Sequence, residues 1–179
     1  MKPLICLALM TSVLTVAARA QTCWPEAGFS PEGSAARLVD QAIDSARKSI
    51  RLAGYSFTSP DIVRRLIKAK RRGVNVSVVV DARNNLEEDQ SGKGRVALNL
   101  LSGAEIPVRV IDIYSLHHDK YIVIDDDTVE TGSFNYTVSA ARYNSENVIV
   151  LWHCQNIAQA YLNHWNSRWK QGRDWQIEY

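Results

Sequence analysis

His118, Lys120, Ser133 and Asn135 fall within one short stretch, HHDKYIVIDDDTVETGSFN, from His117 to Asn135. They offer an imidazole, a fixed positive charge, a hydroxyl and an amide. Hydrolysis of a phosphodiester needs such a set: a nucleophile for phosphorus, and donors for the non-bridging oxygens as charge builds. The two-residue period of a strand puts His118 and Lys120 on one face and Asp119 on the other. The run YIVI is too apolar for a surface strand. Asp125 to Asp127 then reads as a tight turn, and the returning strand ends at Gly132-Ser133-Phe134-Asn135. Antiparallel pairing would bring Ser133 and Asn135 near His118 and Lys120, with Gly132 permitting close approach.

The rest of the chain supplies elements to hold that hairpin. Gly28 to Gly33 reads as a turn-rich lead-in. Ser34 is the expected N-cap of a helix over Ala35 to Lys48, with Leu38, Ala42, Ile43 and Ala46 on one face. Ile50 to Phe57 reads as a strand. A second helix starts at Ser59-Pro60-Asp61 and runs to about Arg72, where Gly73 stops it. Val74 to Asp81 is a Val-rich buried strand. Asn84 to Gly94 reads as a polar loop, Val96 to Leu101 as a short helix, and PVRVIDI and ENVIVLW as further strands. Ile157, Tyr161, Trp165 and Trp169 form an i, i+4 stripe on a C-terminal helix. Alternating strands and helices followed by a hairpin predict an α/β fold: an α-β-α sandwich around a central mixed β-sheet.

Residues 1–20 have the form of an export signal. Lys2 is the positive end, Leu4 to Ala18 is apolar or small, and Ala18-Arg19-Ala20 is a small-x-small cleavage site. A spanning helix needs about 20 apolar residues. Cleavage, rather than a retained anchor, is therefore expected. The reading is a single domain over 21–179, exported to a periplasm or secreted, with no stable membrane anchor. Removing Lys2 and Arg19 from the 21 basic residues leaves 19, against 19 acidic ones. Zero net charge excludes a general electrostatic coat for nucleic acid, so polyanion binding must come from a local patch. Cys6 leaves with the leader. Cys23 and Cys154 remain in an oxidising compartment, either as a disulfide or as two free thiols.

His118, Lys120, Asp125, Gly132, Ser133 and Asn135 reproduce without departure the HKD signature of the phospholipase D superfamily: His-x-Lys, four residues, Asp, six residues, Gly-Ser-x-Asn. The segments GFSPEGSA, YSFTSPDI and ETGSFNYT with NSENVIV extend the likeness. They resemble the small, secreted, EDTA-resistant bacterial endonucleases of that superfamily. The resemblance implies a phospholipase D-like fold and a phosphohistidine intermediate on His118. Lys120, Ser133 and Asn135 would hold phosphate oxygens. A second histidine must protonate the leaving oxygen and activate water. With one motif per chain, the family solution is a homodimer whose two His118 residues meet at the two-fold axis. Glu146 matches the acid that would accept from the other ring nitrogen of His118 and fix its tautomer; a simple surface ion pair is its alternative. Asp125 and Gly132 are read as structural. No cofactor and no metal is implied.

His117 is read as a rim residue. The Asp125 to Asp127 run lacks the spacing of a calcium loop, and no zinc pattern is present. Arg64, Lys68 and Arg71 share a helix face that either tracks a nucleic-acid backbone or is simply solvated. The Trp-rich stripe is read as core rather than a stacking platform. The function expected is a metal-independent endonuclease on DNA, with RNA as a further substrate. A phospholipase D on phosphatidyl head groups is the rival, although no exposed apolar loop is evident in the sequence. A nucleic-acid binding protein with a relic site is the non-enzymatic alternative.

Overall fold

In the chain, strands β1 (Trp24–Ser30), β2 (Ser49–Gly54), β3 (Asn75–Asp81) and β4 (Val108–Ile111) alternate with helices α1 (Ser34–Ser45), α2 (Pro60–Arg71) and α3 (Lys93–Gly103). Strands β5 (Lys120–Ile124) and β6 (Thr128–Gly132) form the hairpin. Helix α4 (Val138–Arg142), strand β7 (Glu146–Trp152), helix α5 (Gln155–Gln171) and strand β8 (Arg173–Asp174) complete the order. The structure is a computed structural model described over residues 22–177, so the expected leader lies outside the described residues.

The strands make one mixed eight-stranded sheet in the order β1-β7-β6-β5-β2-β3-β4-β8. Strands β2, β3 and β4 are parallel, while β5, β6, β7 and β1 are antiparallel to their neighbours. Both faces are covered, which explains why the central strands are rich in apolar residues on both sides. Leu52, Val78, Val80, Ile122 and Ile124 enter the layer of α1, α2 and α3. Ala53, Val79, Tyr121 and Val123 face Ala158 and Trp165 of α5. Each fully buried Val, Leu or Ile contributes about 1.5–3 kcal/mol. The α/β sandwich with a mixed sheet is therefore what forms.

Several local expectations change. The lead-in is largely strand β1, paired along its whole length with β7 from Trp24↔Trp152 to Ser30↔Glu146. Pro25 and Gly28 hide it in the sequence, and Pro is tolerated because the strand lies on an edge. Gly33, at φ 87°, caps α1. The Ser34 hydroxyl instead accepts from Phe29 N (2.7 Å) and donates to Phe29 O (3.1 Å). Helix α1 ends at Ser45 rather than Lys48. The polar loop contains a π-helical turn, Arg83–Glu87, and α3 starts at Lys93. Gly94 allows that start, since a Cβ there would lie 2.5 Å from Asn85 O. The short α4 and β8 carry too few residues to show a period. In α5, Trp165 is core and donates to Leu52 O at 2.9 Å, whereas Ile157 faces outward at 38% exposure.

Cys23 and Cys154 are bonded, with Cα atoms 4.6 Å apart and a sequence separation of 131. The bond ties the start of β1 to the turn between β7 and α5. A loop of this length raises stability by about 5 kcal/mol in the chain-entropy description. Reduction, or Cys154→Ala, should therefore lower the urea midpoint strongly while leaving the far-UV spectrum folded. An unchanged midpoint would contradict the bond.

Candidate active site

The motif residues gather at one end of the sheet, at the carboxyl ends of β2 and β3. There β2 passes from a parallel partner to the antiparallel β5, a position where α/β sheets open a crevice. Lys120 opens β5 and pairs with Gly54 of β2. On its other side Tyr121 pairs with Thr131, and Thr131 Oγ1 donates to Lys120 O at 3.1 Å. The His-x-Lys segment and the end of β6 are thereby fixed side by side.

His118 is exposed and packs its ring against Tyr55, with centroids 4.5 Å apart. Lys120 is only 9% exposed. Its ammonium donates to His118 O at 2.9 Å and lies 5.2 Å from the centre of the Tyr55 ring. Burial lowers the Lys120 pKa, and the negative charges of Glu146 and Asp119 pull it back up. Tyr55 thus serves both motif side chains, as a ring wall for His118 and a cation–π partner for Lys120.

Ser133 is exposed at the end of β6. Its hydroxyl donates to Glu146 Oε2 at 2.5 Å and accepts from Asn147 N at 3.0 Å. Asn144 Nδ2 donates to the other Glu146 oxygen at 2.9 Å. Within the subunit Glu146 is thus brought to Ser133, not to the His118 ring for which the sequence assigned it. Gly132 makes this junction possible: a Cβ would lie 2.2 Å from Asn147 O. Asn135 Oδ1 is buried and has no hydrogen-bond partner among the described residues. Such a group is costly to leave unmet, and exchange of the amide ends would present an N–H at the same place.

Asp125 is structural, and more widely connected than a hairpin residue need be. Its carboxylate accepts from the backbone N–H groups of Arg47 (2.9 Å), Lys48 (2.7 Å) and Ser49 (2.8 Å), the turn between α1 and β2. Asp125 and Asp126 both have positive φ, 53° and 60°, as a tight hairpin turn requires. Among the described residues no group of three or more His, Cys, Asp or Glu side chains is placed to hold a metal ion.

His117 is not a rim residue. It is 2% exposed, its N–H donates to Asp81 Oδ2 at 2.7 Å, and burial lowers the pKa of its ring. Asp81, also buried, accepts from Asn84 N at 2.7 Å as well. Buried Asn85 accepts from Phe57 N (2.8 Å) and donates to Tyr55 O (2.6 Å) and Asp81 O (2.7 Å). Asp81 and Asn85 therefore hold the segments that carry His118 and Tyr55. Sequence reasoning missed Asp81, Asn84 and Asn85. Their only signal was an Asp closing a Val strand and two Asn just after it. Arg64, Lys68 and Arg71 are not brought to the motif. Arg64 pairs with Asp61, Lys68 is exposed, and Arg71 lines a groove of about 810 Å³ beside α3. The cavity beside His118 is a separate one of about 460 Å³.

Glu130, on β6, is buried in the α1–α3 layer and accepts from Tyr136 Oη at 2.8 Å. Tyr136 follows Asn135, and its backbone accepts from Thr58 N and Ser59 N and donates to Ser56 O. Burial pushes the Glu130 carboxyl up to about 8, and the hydrogen bond from Tyr136 offsets this in part.

Residues 39–169 match the family described as cardiolipin synthase, PLD-like domain. The structure of Nuc from Salmonella typhimurium, a phospholipase D family member, is similar at a TM-score of 0.83 and 46% identity, covering 87% of this chain and 99% of that one. A phospholipase D of Rickettsia bellii is 37% identical over 140 residues, 78% of this chain. Mouse mitochondrial cardiolipin hydrolase is 32% identical over 120 residues, 67% of this chain and 51% of its own. This chain spans 66% of the length of the Rickettsia relative.

Two outcomes test the placement. Asp125→Ala strips an acceptor from three amides and should cost about 1–3 kcal/mol in chemical denaturation; a change near zero would remove the clasp from the account. Glu130 sheds its proton near 4.5 when unfolded and only near 8 when folded. Between those values the unfolded chain binds fewer protons, so stability falls as pH rises and levels off above about 8. Glu130→Gln should flatten that slope between about pH 5 and about pH 8, and an unaltered slope would contradict the buried acid.

Proposed function

The chain belongs to the phospholipase D-like family, and from that premise we propose that it is a phosphodiesterase acting on nucleic acid. The reading is an endonuclease on DNA, with RNA as a further substrate. The observation that supports it is the complete motif gathered at one sheet end, with His118 exposed and Lys120 held beside it.

In this mechanism a His118 ring nitrogen attacks phosphorus and the P–O bond to the leaving nucleoside breaks. His118 of a second subunit gives that oxygen a proton. Lys120 balances charge on the non-bridging oxygens, with Asn135 as a neutral donor and the Ser133 hydroxyl, turned from Glu146 to the phosphate, as a second. Water, losing a proton to the second imidazole, then attacks the phosphohistidine and frees His118. A two-fold pair supplies the second imidazole because the same patch meets itself. The nucleophile and cation come from the chain itself. Export of the domain after loss of residues 1–20 belongs to the same proposal.

Hydrolysis of a phospholipid head group is the second reading, and one observation favours it. Ile113 and Leu116 are 58% and 46% exposed, and Tyr114 lies between them, in the loop leading into His117. This is an apolar loop at the mouth of the site that the sequence alone did not reveal. Among the described residues no helix is long and apolar enough to cross a membrane.

The test is plasmid nicking in excess EDTA by the native protein and by His118→Ala, with head-group release from phosphatidylglycerol vesicles measured in parallel. Native nicking, reduced about 10⁴-fold or more in the variant, is the expected result. Head-group release without nicking would replace the nuclease by the lipase. Sedimentation of an active monomer at micromolar concentration would overturn the shared site.

A further inference from the structure

The cavity of about 460 Å³ beside His118 has an opposite wall that the phosphoryl chemistry does not use. Asp119, Tyr121 and Thr131 of the β5–β6 ribbon form one side of it, and Tyr161 and His164 of α5 the other. Its size suits a small organic group, within the range of about 300–1,000 Å³ usual for ligand sites. His118 is part of the lining, so the cavity opens beside the ring at which a phosphodiester would be held.

The chemistry of the lining says which kind of substituent. Among the described residues that line it, Lys120 is the only Lys or Arg, and it belongs to the phosphate site. The cavity therefore offers no second cation for a neighbouring phosphate. Apart from Ala160, Gly132 and the tyrosine rings, its walls are polar, which does not suit an acyl chain. The Asp119 carboxylate already has neighbours within the protein, 3.4 Å from His117 Nδ1, 3.8 Å from His164 Nδ1 and 4.0 Å from Arg168 Nε.

Tyr121 Oη lies 2.9 Å from His164 Nδ1, and burial raises the Tyr121 pKa so that the phenol keeps its proton. This hydrogen bond holds the His164 ring at the cavity wall. The His164 side chain is 39% exposed, so its Nε2 is open to a ligand. Tyr161 packs edge-on against Tyr121, with centroids 4.9 Å apart, which fixes the ring at the cavity wall. A held aromatic ring, one outward ring nitrogen and no spare cation in the lining suit a neutral, planar, hydrogen-bonding group.

We propose that this cavity is the subsite for a nucleoside flanking the scissile phosphate, with Tyr161 stacking on its base and the His164 ring hydrogen-bonded to it. The inference rests on the nuclease reading and deepens it. It makes the chain a reader of the presence of a base, in addition to the phosphate backbone.

The test uses oligonucleotides with one cleavable phosphate, carrying either a base or an abasic residue on each flank. For the native protein, loss of the base on one flank should lower kcat/KM about tenfold, mainly through KM. Tyr161→Ala should lower kcat/KM on the intact oligonucleotide by a similar factor and show no further loss on the abasic one. Tyr161→Phe, which keeps the ring, should restore the dependence on the base. His164→Ala should weaken that dependence without abolishing it. If native protein and Tyr161→Ala lose equally on removal of the base, or if Tyr161→Ala loses equally on both substrates, the subsite is disproved. If the native protein cleaves neither oligonucleotide but releases head groups from vesicles, the nuclease premise fails and the subsite with it.

Discussion

One carboxylate holds the catalytic ribbon in register. Asp125 accepts from three successive amides at the α1–β2 turn, and its own N–H donates to Ser49 O at 3.0 Å. This clasp lies at the far end of β5 from the motif. It fixes Ile124 opposite Ile50, and with that pairing Lys120 stands opposite Gly54. A slip of one residue would exchange the faces of β5. Lys120 would then turn into the α5 layer, and Asp119 would take its place beside Tyr55. The most conspicuous acid of the motif thus acts on chemistry at a distance, through register.

The opposite end of the ribbon is set by close approach. Gly132 lets the end of β6 lie against Asn147, and Ser133 N–H donates to Asn147 O at 3.1 Å. Tyr136 is then fastened to the loop after β2 by backbone bonds and to Glu130 by its hydroxyl. The segment carrying Ser133 and Asn135 is held from both sides. Keeping Glu130 neutral makes that buried contact affordable, since an ionised carboxylate there would face an apolar layer.

Much of this was legible in the sequence. The hairpin, its turn, the facing of His118 and Lys120 and the structural part of Asp125 follow from a strand period of two and from residue type. The class of fold follows from alternating elements. What was not legible depends on partners distant in the chain. Strand β1 exists because β7 offers an edge to it, and its own residues, with Pro25 and Gly28, give little sign. Asp81 and Asn85 look like ordinary loop polar residues until the backbone amides they satisfy come into view. His117 reads as surface because it adjoins His118, yet Asp81 draws its backbone inward. The contact of the His118 ring with Tyr55 joins the segment before β5 to the residue after β2, which no local spacing encodes.

The two borders of the sheet bear on how copies of the chain can meet. Strand β8 is two residues long, both exposed, and its charged pair Arg173 and Asp174 faces outward. Strand β1 carries Pro25, which has no N–H to offer, and its first residue follows a cysteine bonded into the body of the fold. Neither border is a template for strand addition. Borders of this kind disfavour a sheet continued between subunits, which leaves the faces of the sandwich and the crevice end as the surfaces for association. The crevice end is where His118 is exposed and where the apolar side chains of Ile113 and Leu116 are left uncovered.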